Sequence, residues 1–346
     1  MTRWAVILAG GVGSRFWPLS TPARPKQLLP LVDSEPLLAN AVRRMAAIAA
    51  PANTLVLTNA ELRDAVAGVL PQLPQENIIA EPRPSGTAAA LAWAASEVVT
   101  RDPEGVMVCI HADWAISDEA MFASTLRDAA ALAESTGELV TVGIVPSRPD
   151  TGFGYIELGE QVEGGFRVKR FIEKPDREGA KLLVSSGALW NSGIFCWRAR
   201  DFLSELRKHT PEVATALDQH AMARASRSKE EFFAFVRPVS VDVGLLERSE
   251  NVLVVRGAFG WDDVGTWAAL RRARSPDADG NVVSGRTHLK ESRNNVVHAE
   301  GDAVVLYGVE NLVVVSRPGL TLVTTVEKSE ELKTLVDSLP PEIKDK

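Results

Sequence analysis

The sequence predicts an α/β protein, a doubly wound, Rossmann-like mixed sheet followed by a small β-rich C-terminal domain. Three observations carry that reading. Short β-rich runs alternate with long Ala/Leu-rich stretches, the strand-like runs are apolar without interruption, and the composition shifts at the Pro/Asp/Gly stretch SPDADGN. From the N-terminus, WAVILA, TLVLTN and NIIAE read as strands separated by helices at 36–49 and 60–69. An Ala-rich helix at 86–100, the strand VMVCIHAD, a helix at 118–135 and the strand ELVTVGIV continue the alternation. Between 151 and 200 the Gly-punctuated runs TGFGYIEL, FRVKRFIEKP and SGIFCWRA predict an inserted or edge antiparallel layer. Helices near 200–208 and 228–235 and the helical WAALRRAR follow. The predicted domains are therefore 1–274 and 275–346. In the second, short Val-rich strands with Asn and Gly turns precede a helix from about Lys328 to Leu339. They read either as a small all-β cap with a docking helix or as a few coils of β-solenoid.

Composition narrows the function. The 346 residues are 45% hydrophobic and 24% charged, with a net charge of -7. That balance offers no electrostatic footprint for phosphate backbones or anionic lipid, so neither nucleic acid nor a membrane is an expected partner. Cys109 and Cys196 sit in apolar strings with no zinc spacing and read as buried thiols suited to a reducing cytoplasm. The apolar run in MTRWAVILAGG is too short for a signal-peptide core or a span, so neither export nor anchoring is expected.

The chemistry starts at the first loop, in WAVILAGGVGSRFWPLSTPARPKQLLPL. A Gly-Gly-Val-Gly loop directly after a strand lets backbone N–H groups approach a phosphate, making Leu8, Gly10, Gly11 and Gly13 candidate nucleotide-binding residues. A dinucleotide fold is disfavoured, because Phe16 replaces the third glycine and Pro18, Pro22 and Pro25 forbid the helix that should follow. The loop also lacks the Gly-Lys-Ser/Thr ending of a Walker A motif. Instead it supplies Arg15 and Lys26, two cations able to converge on one triphosphate. Further on, Asp113 closes the buried strand VMVCIHAD at the C-terminal sheet edge, where it reads as a metal ligand or as a turn-forming carboxylate. In EPRPSGTAAA, Gly86 and Thr87 can present backbone and hydroxyl groups to a purine edge, though a helix N-cap at Ser85 or Thr87 explains the same residues.

The string LAGGVGSRFWPLS followed by PKQLLPL resembles the signature loop of the sugar-phosphate nucleotidyltransferases. The closest match is the mannose-1-phosphate guanylyltransferase family, also called GDP-mannose pyrophosphorylase, and the Phe-Trp-Pro-Leu-Ser ending points to that branch. The resemblance extends through EPRPSGTAAA, HADW, TGFGYI, FIEKP, WNSGIF, SVDVGLLE and WDDVGTW into NLVVV and LKTLVDSL, essentially the whole chain.

The resemblance implies roles. Arg15 and Lys26 are the catalytic cations, and Asp113 and Asp263 hold Mg²⁺. Glu81, Gly86 and Thr87 join the glycine loop in binding the nucleotide. Glu173 takes sugar hydroxyls, Lys174 meets the sugar phosphate, Asn191 and Asp242 bind the hexose, and Gly152 and Gly154 offer it backbone contacts. This chain departs from the family pattern at Trp114, where relatives carry His, and at Asp262, an extra acid beside Asp263. It departs again at Val243, which replaces Tyr, and at Pro84-Ser85-Gly86, where Arg-Asn-Thr-Ala is common. The implied reaction joins GTP and mannose 1-phosphate into GDP-mannose with release of pyrophosphate. The implied tail is a short left-handed β-helix that contributes to a homodimer, with too few residues left for a fused mannose 6-phosphate isomerase. The alternatives are another hexose or heptose 1-phosphate as substrate, or a non-catalytic regulatory homologue.

Overall fold

The computed structural model describes residues 1–11, 13–222 and 228–344. The chain folds into two compact units, the first made of Met1–Gly10, Val42–His111 and Asp118–Phe259. Its strands are β1 (Arg3–Leu8), β2 (Thr54–Asn59), β3 (Ile78–Glu81) and β4 (Val106–His111), then, after a two-residue strand β5 (Ala115–Ile116) of the other unit, β6 (Leu139–Ile144), β7 (Tyr155–Val162), β8 (Gly165–Ile172), β9 (Leu189–Arg198) and β10 (Val252–Gly257). They form one nine-stranded sheet in the order β3-β2-β1-β4-β9-β6-β10-β8-β7. As the uninterrupted apolar runs predict, β1 pairs in parallel with β2 and β4, β2 with β3, and β6 with β10. The register sets Leu8 beside Leu57 and His111, and Asn59 beside Glu81. The loops after these residues therefore leave from one sheet edge, the edge at which open α/β folds bind ligands.

The 151–200 region only partly follows expectation. The hairpin β7–β8 does lie at the sheet edge, but β9 runs antiparallel through the middle, between β4 and β6. The cause is its content: Leu189, Trp190, Ile194, Phe195, Cys196 and Trp197 are all buried, and a strand this apolar needs cover on both faces. Both cysteines are free and buried, and burial pushes their thiols up. The expected helices form as Thr87–Arg101, Glu119–Thr136, Ala199–His209 and Lys229–Phe235. Asp118 caps the second by accepting from Met121 N–H, and Ser228 with Glu231 makes a capping box on the last. Three further elements are Arg177–Ser185, Pro211–Met222 and a π-helical turn at Asp242–Leu246. None of the helices among the described residues is long and apolar enough to cross a membrane.

The second unit comprises Gly11–Ala41, Ala112–Ser117 and the chain from Gly260 on. Compactness thus does not divide at 274/275: the proline-rich part of the first loop folds with the tail. An apolar cluster explains this. Phe16, Trp17, Leu19, Leu29 and Leu31 from the loop are buried with Val264, Trp267 and Leu270 and with Val313, Val315, Leu332 and Val336 from the tail. Phe16 meets Trp267 at 5.1 Å between ring centroids, and Trp267 Nε1 donates to the Trp17 carbonyl at 3.3 Å. Arg317 donates to the Pro18 carbonyl at 2.7 Å, and Arg24 pairs with Glu300 at 3.1 Å.

β5 pairs antiparallel with β11 (Trp261–Asp262). In the tail, β12 (Val282–Ser284), β14 (Val296–Ala299) and β16 (Leu312–Arg317) form a parallel ladder in which Val282, Val296 and Val313 stack. A second parallel ladder joins β13 (Thr287–Lys290) to β15 (Val304–Tyr307), and β17 (Leu320–Thr325) returns antiparallel on β16. Buried asparagines tie the coils. Asn281 Oδ1 accepts from Asn295 N and Nδ2, both at 3.0 Å, and Asn295 Oδ1 accepts from Leu312 N at 2.9 Å.

Because Phe16 is fully buried at the centre of the cluster joining loop and tail, Phe16→Ala should cost about 3–5 kcal/mol of unfolding free energy in denaturant titration. A loss under about 1 kcal/mol would show that the loop does not depend on this packing.

Candidate active site

In the second unit the centre of the site is an ammonium. Lys26 is only 4% exposed. Its Nζ donates to Asp113 Oδ2 at 2.9 Å and to the Asp263 carbonyl at 2.7 Å, and it lies 5.8 Å from the centroid of the Phe16 ring. A buried ammonium needs such partners, because desolvation without them costs several kcal/mol. Gly13 is needed for the approach: it has φ +69°, and a Cβ there would fall 2.4 Å from Lys26 Cβ. A Cβ on Gly11 would meet nothing, so the space beside that backbone is open.

Three of the four residues expected to do chemistry are thus brought together, and the fourth acts on them at range. Arg15 is exposed, and its positive charge pulls the Asp263 carboxyl downward. Burial dominates at Asp263 and pushes its carboxyl up; Lys26 opposes this, while Asp262 and Asp113 add to it. Asp263 Oδ1 accepts from Gly265 N–H at 3.1 Å, and a Cβ at Gly265 would lie 2.6 Å from Asp263 Oδ2. Between them Val264 takes φ +44°, a strained conformation for a β-branched residue. The Asp113 carboxylate, bonded to Lys26, and the Asp263 carboxyl, which feels the same charge, are hard-oxygen donors of the kind Mg²⁺ takes, since that ion uses one or two carboxylates and completes its shell with phosphate and water. No group of three His, Cys, Asp or Glu among the described residues is arranged to hold a metal.

Trp114 and Asp262 have structural partners in this unit. Trp114 packs edge-on against Trp261, with centroids 5.8 Å apart. Asp262 is buried, and its carboxylate accepts from Arg272 Nε at 2.6 Å and from Val264 N–H at 2.9 Å.

In the first unit, Leu8 closes β1 with its side chain in the core, while Gly10 stands at the surface with open space where a Cβ would be. Glu81 ends β3 half-buried, and burial raises its carboxyl to about 7 against the pull of Lys229. In the loop that follows, Arg83 donates to the carbonyls of Phe233, Ala234 and Val236. Gly86, at φ +81°, is the helix N-cap without any side-chain cap, because a Cβ there would fall 2.2 Å from the Val239 carbonyl. Neither Ser85 nor Thr87 caps the helix. The Thr87 hydroxyl accepts from Val241 N–H at 2.9 Å, so its oxygen is turned to the 239–241 segment, leaving its hydrogen for donation.

The sugar candidates gather in the same unit. The Asn191 amide N–H donates to the Gly154 carbonyl at 2.8 Å, and Asn191 Nδ2 donates to Asp242 Oδ1 at 2.7 Å. A Cβ on Gly154 would fall 2.8 Å from Glu173 Oε2, so the glycine lets that carboxylate lie against the backbone. Lys174, at φ +42°, donates to Glu173 at 2.6 Å, and Gly152 sits further out in the loop, its N–H held by Asp150. Sequence reasoning missed Glu247, whose carboxyl is raised by burial and by the charges of Glu173 and Asp242. Its place beside a π-helical turn left no local signal.

Glu81 yields a pH signature. Its folded-state value near 7 exceeds the ordinary value of 4.5, so the folded state binds the proton more tightly and loses stability as pH rises between the two. Glu81→Gln should therefore gain stability over the parent from about pH 5 to about pH 8, by about 2 kcal/mol, in parallel denaturant titrations. A difference that does not change with pH would refute the assignment.

Comparison with known proteins identifies the family. The family model for nucleotidyl transferases matches residues 4–280. A mannose-1-phosphate guanylyltransferase of Escherichia coli is 37% identical over 96% of this chain and 73% of its own length. One of Klebsiella pneumoniae is 36% identical over the same shares. A solved structure described as mannose-1-phosphate geranyltransferase from Thermus thermophilus is 33% identical, covers 97% of this chain and 99% of its own, and superposes with a TM-score of 0.88. On these matches the chain belongs to the nucleotidyl transferase family and, within it, to the mannose-1-phosphate guanylyltransferases.

Proposed function

We propose that the protein transfers GMP from GTP to α-D-mannose 1-phosphate, giving GDP-mannose and pyrophosphate. The observation that carries the reading is the buried Lys26 ammonium bound at once to Asp113 and to the Asp263 backbone. Such a cluster suits a polyanion whose charge rises during reaction. A phosphate oxygen of the sugar phosphate attacks the α-phosphorus of GTP in line, the new P–O bond forms as the bond to the β-phosphate oxygen breaks, and pyrophosphate leaves with the electron pair. The nucleophile is already anionic, so no general base is needed. The protein's work is to hold two anions together and to neutralise the leaving group.

Lys26 and Arg15 supply that neutralisation, Lys26 from a fixed position and Arg15 from an exposed one. Asp113 and Asp263 are the residues that would hold Mg²⁺. Bound there, the ion supplies Lewis-acid charge to phosphate oxygens. Gly10, Gly11 and Gly13 present backbone N–H groups to the phosphates, and Glu81, Gly86 and Thr87 serve the base. A half-buried carboxyl such as Glu81 suits a ring that offers N–H donors. Glu173, Asn191 and Asp242 accept or share sugar hydroxyl protons, with Gly154 admitting the ring, Gly152 shaping its loop and Lys174 meeting the sugar phosphate. The parallel tail ladders fit a β-helix-like cap through which two copies pair as a homodimer, and buried thiols fit a cytoplasmic setting.

Pyrophosphate release with Mg²⁺, crossing GTP and ATP with mannose 1-phosphate and glucose 1-phosphate, tests the reading. Turnover confined to GTP with mannose 1-phosphate is the expected result. Preference for another pair would reassign the substrate, and silence throughout would favour a non-catalytic homologue. In the active pair, Arg15→Ala should lower kcat by about 100-fold or more, the cost of losing one charge that neutralises the leaving group. Near-normal turnover would remove Arg15 from the chemistry.

A further inference from the structure

The Asp262-Asp263-Val264 turn carries the Asp263 carbonyl that holds Lys26 and, on the same residue, the carboxylate whose Oδ1 accepts from Gly265 N–H. Its shape is strained. Val264 is fully buried in the Phe16–Trp267 cluster at φ +44°, a conformation that costs of order 1–3 kcal/mol and persists only where the surroundings impose it. The side-chain contact that imposes it on the N-terminal side is Asp262, whose Oδ1 accepts from Val264 N–H at 2.9 Å. Asp262 is a buried acid beside other acids, and such a group stays inside only if its charge is met. Arg272 meets it, with Nε 2.6 Å from Asp262 Oδ2. Arg272 projects from the helix Trp267–Ala273, whose start is fixed by Thr266 accepting from Ala269 N–H.

We propose that Arg272 is a positioning residue: through Asp262 it holds the strained turn that aims Asp263 at Lys26. The proposal rests on the reading of Lys26 and Asp263 as catalytic machinery. Removing the guanidinium strands a buried carboxylate, which relieves itself by turning outward. That movement frees Val264 N–H, lets φ relax and withdraws the Asp263 carbonyl from Lys26. Asp262 is thereby half of a lock, and the sequence supplies its other half ten residues on as the second arginine of WAALRRAR.

The guanidinium is also reachable. The Arg272 side chain is 41% exposed and borders an open cleft of about 470 Å³ that Arg271, Asn294 and Val326 also line. A small cation from solvent can enter the space that truncation leaves, which gives a test that a merely structural arginine would fail.

The experiment compares the parent, Arg272→Ala, Arg272→Lys and the double variant D262N/R272A. Readouts are pyrophosphate release and amide hydrogen exchange over residues 260–266. R272A should lose about 10- to 100-fold in kcat, the usual cost of removing a supporting partner, with KM for the sugar phosphate within about twofold. Exchange at Val264 and Gly265 should rise. Guanidinium ion at sub-denaturing concentration should restore both turnover and protection, and D262N/R272A should be faster than R272A because no carboxylate is stranded. Unchanged kcat in R272A, or lost turnover with unchanged exchange and no rescue, would overturn the proposal. If R272A does not fold, R272K and the double variant carry the same comparison. A parent with no pyrophosphate release would instead defeat the catalytic reading, while the exchange data would still decide whether Arg272 holds the turn.

Discussion

The rest of the site depends on one buried charge. An ammonium at 4% exposure is tolerable only with strong acceptors at fixed positions, and Lys26 finds one on Asp113 and one on the backbone of Asp263. Those two residues are far apart in sequence, so the requirement of a single lysine draws distant segments into one cluster. It also dictates small details. Gly13 must lack a side chain because Lys26 passes against it, and a Cβ on Gly265 would push the Asp263 carboxylate aside. Arg15 differs in kind. It is exposed and felt by Asp263 only as charge, which suits a group that meets its ligand when the ligand arrives.

The cluster is held in place by packing as much as by charge. The loop carrying Lys26 contributes Phe16, Trp17 and Leu19 to the same apolar core that Trp267 and the tail ladders complete. Trp17 Nε1 donates to the Lys344 carbonyl, and Arg317 to that of Pro18, so the tail bonds directly to the signature loop. This gives the small β-rich segment a structural task, as a platform for the loop, in addition to any role in assembly. It also explains why compact units and the composition shift at SPDADGN do not coincide. A linker-like composition marks where the chain turns, whereas the folding unit is decided by which apolar side chains must be buried together.

Much of this was legible in the sequence. The alternation of apolar runs and Ala-rich stretches gave the parallel half of the sheet, and the glycine loop, HADW and WDDVGTW marked the residues that cluster. What escaped was non-local. The placement of β9 in the sheet centre follows from strand order, which no local period encodes. Trp114 finds Trp261, and Asp262 finds Arg272, only in the folded chain. The bond from Val241 N–H to the Thr87 hydroxyl likewise joins segments remote in sequence. Other misses had signals. Thr210-Pro211-Glu212 is a recognisable helix start, and VLVVRG is an apolar run like those of the other strands.

The central claim is that Lys26 is buried for chemistry on phosphates and is more than a tie between Asp113 and Asp263. Turnover of Lys26→Gln, which keeps a hydrogen-bond donor and loses the charge, tests this most directly when paired with a denaturant titration. The account predicts a kcat lower by about 100-fold or more in a protein that still folds. A folded Lys26→Gln enzyme with near-parental turnover would contradict it.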